Sequence, residues 1–335
     1  MTDQAVLPTD MYFADVLPWQ TQAWAQLTQQ FTEHHLPHGL LAAGQEGIGK
    51  HAFVWRLVAY ILCQNRHEYG ACGECESCHW LRSGTHPDLM VLPVSSQLGA
   101  EGGDESIKID DVRTLQEYSQ TKGHGAKVII LDHADTLTIG AANALLKTLE
   151  EPRDGVFLIL LSHHPSRLLP TIKSRVQRLP LSQIDHACVV DFLGAYMDGD
   201  TAQMMLTICD GAPLQALTLR QSEWFGYREL WLKTMMALQS KSRSPIAASD
   251  YWQDKLDLQA FIGLSRLMLI ELWRVLLGLP RLHKDIDTPN ITAKMMLSQA
   301  YLEQFLMVLD DVQAGLKQNI QEKIAYDRLM VAMVG

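Results

Sequence analysis

Short apolar runs alternate with helical patterns through the first half of the chain. His38-Gly39-Leu40-Leu41-Ala42-Ala43 reads as a buried strand. The glycine-rich Gly44-Gln45-Glu46-Gly47-Ile48-Gly49-Lys50 follows, and then a helical pattern over Ala52–Tyr60. Strands are also predicted at Asp88–Leu92, Lys127–Asp132 and Gly155–Ser162. Within Lys127–Asp132, Val128–Leu131 is continuously apolar and rich in β-branched residues, as a parallel strand covered on both faces should be. One helix is predicted from near Asp110, whose carboxylate can cap it. Another spans about 139–151, with Ala141, Ala144, Leu145, Thr148 and Leu149 on one face. Ser95–Ser106 is polar, Gly-rich and without periodicity, so a mobile loop is expected. Alternating strands and helices imply an α/β layered domain.

After about Leu181 the strand signals stop. The pattern divides the chain into an α/β domain over 1–181, a small helical module over 182–223 and a larger all-helical domain over 224–335. Leu258–Leu279 and Tyr301–Leu316 are amphipathic in the last part. Arg266, Glu271 and Arg274 interrupt the first of these, which argues for a buried helix over a membrane span. Met1–Asp15 lacks the basic start and apolar core of a signal peptide, so the cytoplasm is expected. The net charge of −10 disfavours a stand-alone DNA binder, because phosphate contacts need clustered Lys and Arg.

Gly44, Gly49 and Lys50 match the phosphate-binding loop G-x-x-x-x-G-K-[ST]. The final position is His51, and imidazole is a poor ligand for Mg²⁺, which prefers oxygen. Asp132 ends an apolar strand where a metal-binding acid is needed. His133 stands where AAA+ ATPases usually carry a water-activating glutamate, and Asp135 lies two residues beyond. The loop is therefore kept while groups needed for hydrolysis are missing, which leaves nucleotide occupancy open and ATP hydrolysis unexpected.

Cys63, Cys72, Cys75 and Cys78 fall within a short segment, at about 63–78, of a chain with six cysteines. In a reducing compartment such a cluster points to metal before disulfides. The spacing fits one tetrahedral Zn²⁺, with Gly73 in the turn between Cys72 and Cys75. An iron–sulfur cluster of ferredoxin type would want a further Cys-Pro downstream, where His79-Trp80 stands. His67 and His79 are candidate substitute ligands but are expected at the surface, and Cys188 and Cys209 are expected as packing residues.

Ala142-Asn143-Ala144-Leu145-Leu146-Lys147-Thr148-Leu149-Glu150-Glu151-Pro152 resembles the helix after the acidic strand in bacterial clamp-loader subunits of the AAA+ family. Leu168–Val176 resembles the segment with that family's Ser-Arg-Cys signature, with Val176 in place of the cysteine. The cysteine insertion, Gly84–Asp88 and Ile107–Arg113 are similar too. The resemblance covers about 38–180. It implies an AAA+ P-loop-type α/β domain with a zinc module, a helical lid and a C-terminal helical collar. It favours a non-hydrolysing subunit over the gamma/tau ATPase, because Leu214 occupies the expected lid arginine position. It also implies that Arg175, beside Ser174, reaches into a neighbouring subunit's ATP site. The implied partners are gamma/tau and delta subunits, a sliding clamp and primer-template DNA, in a heteropentamer. An active ATPase would show turnover by the chain alone, abolished by Lys50→Ala. A zinc-containing DNA-binding protein would bind DNA strongly and in a salt-sensitive way.

Overall fold

The computed structural model describes residues 11–93, 106–316 and 321–335. Most of the loop expected over Ser95–Ser106 lies outside the described residues. The described chain forms two compact units, one drawn from Met1–Ala202 with Gly211–Thr218, the other from Gln203–Asp210 with Leu219–Gly335.

The first unit is built on β1 (Gly39–Ala43), β2 (Leu89–Leu92), β3 (Lys127–Leu131), β4 (Val156–Ser162) and β5 (Gln177–Arg178). The order is β2-β3-β4-β1-β5, and every pairing is parallel. β1 and β3 are buried at every residue, as the apolar runs Leu40–Ala43 and Val128–Leu131 require, and Lys127 is buried with them. The helices are α1 (Thr21–Thr32), α2 (Lys50–Leu62), α3 (Glu76–Ser83), α4 (Ile109–Gln120), α5 (Ile139–Glu150), the single turn α6 (Pro170–Lys173) and α7 (His186–Gly194). Leu41, Ala43, Ile129, Leu131, Leu158 and Leu160 pack with Val112 and Leu115 of α4 and Leu145 and Leu149 of α5. Full burial of each such Leu or Ile contributes about 1.5–3 kcal/mol relative to exposure. Strand alternation turns the intervening residues toward α2 on the other face. This is the expected α/β domain.

Three details differ from the sequence expectation. α4 is capped by a box in which Lys108 N–H donates to Asp111 Oδ2 at 2.7 Å, while Asp110 pairs with Arg113 at 2.8 Å. α1 was not expected, because only Ala23, Trp24, Leu27 and Thr28 of its largely polar sequence are buried. β5 was not expected either, since two residues carry no readable alternation.

α8 (Gly199–Ile208) and α9 (Pro213–Gln221) follow. The second unit carries α10 (Arg228–Gln239), α11 (Pro245–Gln253), α12 (Leu258–Leu276), α13 (Thr288–Thr292), α14 (Gln299–Leu316) and α15 (Glu322–Ala332). Its core centres on Trp231, Trp252, Phe261, Phe305 and Tyr326. The charges that interrupt α12 all find partners. Arg266 pairs with Asp310 at 2.5 Å, buried Glu271 accepts from Leu282 N–H at 2.9 Å, and Arg274 donates to Pro280 O at 2.6 Å. α12 stops at Leu276, short of Leu279, because Gly278 takes the left-handed conformation and Pro280 follows. Among the described residues no helix is long and apolar enough to cross a membrane.

Candidate functional site

Parallel strands give the sheet two chemically distinct ends. The carboxyl ends of β1, β3 and β4 run directly into Gly44, Asp132 and His163. Ligands in open α/β sheets bind at this end. The loop after β1 closes onto the N-terminus of α2, where helix dipole and N–H groups favour phosphate. Gly47 and Gly49 have φ of 78° and 83°. A methyl group at Gly47 would come within 2.6 Å of Gln215 Cβ, and one at Gly49 would run into Leu17 and Gln20. Only glycine fits either place. The loop is tied from outside: Leu214 N–H donates to Gly47 O at 2.9 Å, and Trp19 Nε1 and Gln20 Nε2 both donate to Ile48 O at 3.1 Å. These bonds fall on carbonyl oxygens, not on the N–H groups that a phosphate would use. Leu214 therefore lies against the loop and brings no charge to it.

Lys50 is buried, with its ammonium 3.1 Å from Gln45 O and 2.8 Å from His163 Nδ1. Burial, and the nearby Lys50, His51 and His133, push the His163 ring down to about 3, so it is neutral at pH 7 and accepts from the lysine. His51 Nε2 stands 3.3 Å from Asp132 Oδ1, and His133 N–H donates to the same oxygen at 3.0 Å. His133 stacks on His163 with ring centroids 5.3 Å apart. It also sits at φ 51°, ψ 45°, a left-handed conformation that non-glycine residues seldom adopt outside special sites. Asp135 accepts from His163 N–H at 3.1 Å. Gly44, Gly49, Lys50 and Asp132 thus lie at the carboxyl end of the sheet, where His163 contacts Lys50, His51 approaches Asp132 and His133 stacks on His163.

Ser174 and Arg175 lie at the opposite, amino end of the sheet. They follow α6 and precede β5, whose Gln177 pairs with Leu40 near the start of β1. Arg175 N–H donates to Ile172 O at 2.9 Å. Its guanidinium pairs with Glu150, Nη2 to Oε1 at 2.6 Å, and keeps 35% of the side chain exposed. Lys173 and Arg178 are exposed nearby.

The four cysteines gather beyond the C-terminus of α2. Cys63 caps that helix, Cys75 caps α3 and Cys78 lies within α3, which was not foreseen in the sequence. Sulfur separations are 3.6 Å (Cys63–Cys72), 3.9 Å (Cys63–Cys75), 3.9 Å (Cys72–Cys78) and 3.5 Å (Cys75–Cys78). A tetrahedron with metal–sulfur bonds of about 2.3 Å has sulfur–sulfur edges of about 3.8 Å, so the four fit one ion. Backbone N–H groups of Cys72 and Cys75 point at Cys63 Sγ (3.3 Å) and Cys72 Sγ (3.4 Å). Burial pushes the Cys63 and Cys78 thiols up, while at Cys75 hydrogen bonds outweigh burial and hold it at about 6. A bound cation resolves that conflict by stabilising all four thiolates. His67 and His79 are exposed, Cys209 is buried and Cys188 half-buried.

Sequence reasoning missed His163, Glu150, Trp19 and Gln20. His163 had a usable signal, since it directly follows the carboxyl end of a buried strand, as Asp132 does. Glu150 had none, because its partner is remote in sequence.

These features define a parallel α/β protein with a phosphate-loop-like turn, a four-cysteine cluster able to hold a metal ion, and helices in a second unit. A family model described as DNA polymerase III, delta subunit, matches residues 19–185. The DNA polymerase III subunit delta' of Pseudomonas aeruginosa is 37% identical over 241 residues, 70% of each chain. That of Escherichia coli is 33% identical over 216 residues, 63% of each chain. The DNA polymerase III subunit tau of Bacillus subtilis is 28% identical over 62% of this chain and 37% of its own. The chain belongs to the DNA polymerase III subunit delta' family.

Proposed function

We propose that this chain is the non-hydrolysing delta' subunit of a clamp loader and completes an ATP site on a neighbouring gamma/tau-type subunit. The observation that carries this reading is the separation of Arg175 from the chain's own phosphate loop. They occupy opposite ends of one parallel sheet, at the start of β5 and the end of β1. Arg175 lies away from the loop of its own chain, and its partly exposed guanidinium can reach a partner's phosphate. A guanidinium brings fixed donors and permanent charge to the γ-phosphate as charge develops.

Lack of turnover by the chain itself follows from the carboxyl-end chemistry. His51 replaces the hydroxyl that would hold Mg²⁺, and His133 replaces the water-activating acid. Lys50 is held by Gln45 and His163. The four cysteines hold a structural Zn²⁺ that ties the end of α2 to α3; with four thiolates no coordination position is left for catalysis.

The same reading divides the chain into an α/β domain to 181, a lid over 182–223 and a collar from 224. It makes delta and gamma/tau the direct partners, and clamp and primer-template DNA partners through the complex, in the cytoplasm. A chain of net charge −10 leaves most phosphate contacts to those partners. The test is ATP turnover, stimulated by clamp and primed DNA, in a loader rebuilt with Arg175→Ala. A loss of about 10³-fold or more with assembly intact is expected. Unchanged turnover contradicts the reading.

A further inference from the structure

Glu150 grips one edge of the Arg175 guanidinium. Nε donates to Glu150 Oε1 at 2.8 Å, and Nη2 lies 2.6 Å from the same oxygen. On the other side, Nη1 donates to Thr171 O at 3.0 Å and lies 3.4 Å from Ser174 Oγ. The charged acceptor thus takes the Nε/Nη2 edge, and neutral acceptors take Nη1. A guanidinium carries five donors in a fixed fork, so its two edges can bind different partners at once.

Both ends of the pair stand on rigid ground. Glu150 ends α5, one residue after Leu149 of the core. The Arg175 carbonyl abuts Gly39, where a methyl group would come within 3.3 Å of it. The two side chains are 35% and 49% exposed, and an ion pair so open to water adds little to stability. What it does fix is direction. Without Glu150 the long arginine side chain has only neutral acceptors to hold it.

We propose that Glu150 is the positioning residue for Arg175. It holds the Nε/Nη2 edge and presents the Nη1/Nη2 edge to the terminal phosphate of a nucleoside triphosphate in the adjoining subunit. On engagement Nη1 exchanges Thr171 O and Ser174 Oγ for phosphate oxygens, while the carboxylate stays in place. The exchange replaces neutral acceptors by charged ones, which make the stronger hydrogen bonds. This rests on the proposal that Arg175 acts in trans.

The test is the rebuilt loader, with kcat and KM for ATP measured for Glu150→Ala, Glu150→Gln, Arg175→Ala and the double variant Glu150→Ala/Arg175→Ala. Thermal unfolding and complex formation serve as controls. Glu150→Ala is expected to lower kcat about 10- to 100-fold with KM little changed, the scale of loss that misplacement of a reacting group brings. Glu150→Gln, which keeps an acceptor oxygen, falls between it and the parent. The double variant is no slower than Arg175→Ala alone, because a positioning residue has nothing left to position. Full or raised turnover in Glu150→Ala while Arg175→Ala is slow overturns the positioning role and leaves the trans role standing. A double variant slower than Arg175→Ala also overturns it. Full turnover in Arg175→Ala removes both.

Discussion

At the carboxyl end of the sheet, Lys50, His51, Asp132, His133 and His163 are turned toward one another, and the lysine and the acid are both buried. At the amino end, Arg175 meets a carboxylate but keeps about a third of its side chain in water. Both ends hold a cation of the type used on phosphates. At one end that charge is taken up by groups of the same chain. At the other a carboxylate and neutral acceptors of the same chain hold it, but it stays partly exposed. The glycines of the loop serve packing: Gly47 leaves room for Gln215, and Gly49 for Leu17 and Gln20.

The largest effect expected from disturbing either end comes from the cysteine module, which anchors α2 at the pole opposite its phosphate loop. Structural zinc is worth on the order of 10 kcal/mol in isolated peptides, so chelation or Cys78→Ser should cost several kcal/mol of unfolding free energy. Calorimetry checks this, and unchanged melting on removal of metal counts against a structural ion.

Next comes the neutral imidazole. With His163 at about 3 against an ordinary 6.5, the unfolded chain takes up the proton first as pH falls. The stability due to this group is complete above pH 6.5 and drains as pH drops toward 3. Lys50→Met keeps the apolar stem and removes the second-ranked cause of the shift, after burial. The His163 midpoint should then move up toward 6.5, read from its ring protons by NMR. A midpoint that stays put would mean that Lys50 does not face the ring.

The smallest effect is at the loop itself. Gly47→Ala meets both the φ of 78° and Gln215, and is expected to destabilise by about 1–3 kcal/mol in denaturant unfolding. No loss would mean that Gln215 moves away at little cost and that the loop is not held from outside.

Most of the first unit was legible in the sequence. β1, β3 and β4 are covered on both faces and so read as apolar runs, and the cysteine spacing foretold that the four sulfurs gather within reach of one ion. α1 and β5 were not legible, because one buries few of its residues and the other is two residues long. At the site, Gly44, Gly49, Lys50 and Asp132 were legible by motif. The pairing of Arg175 with Glu150 and of Lys50 with His163 was hidden, because each joins residues far apart in sequence that only strand order brings together. Asp110 shows the limit of local signals: a good cap residue lost its place to Asp111, one residue on, because the helix begins earlier.

The most direct measurement sets the two ends against each other in one rebuilt loader, comparing DNA- and clamp-stimulated ATP turnover for Arg175→Ala and Lys50→Ala. The account predicts a loss of about 10³-fold or more for Arg175→Ala and no appreciable change for Lys50→Ala. A loss with Lys50→Ala and none with Arg175→Ala would contradict it, and would make this chain an ATPase in its own right.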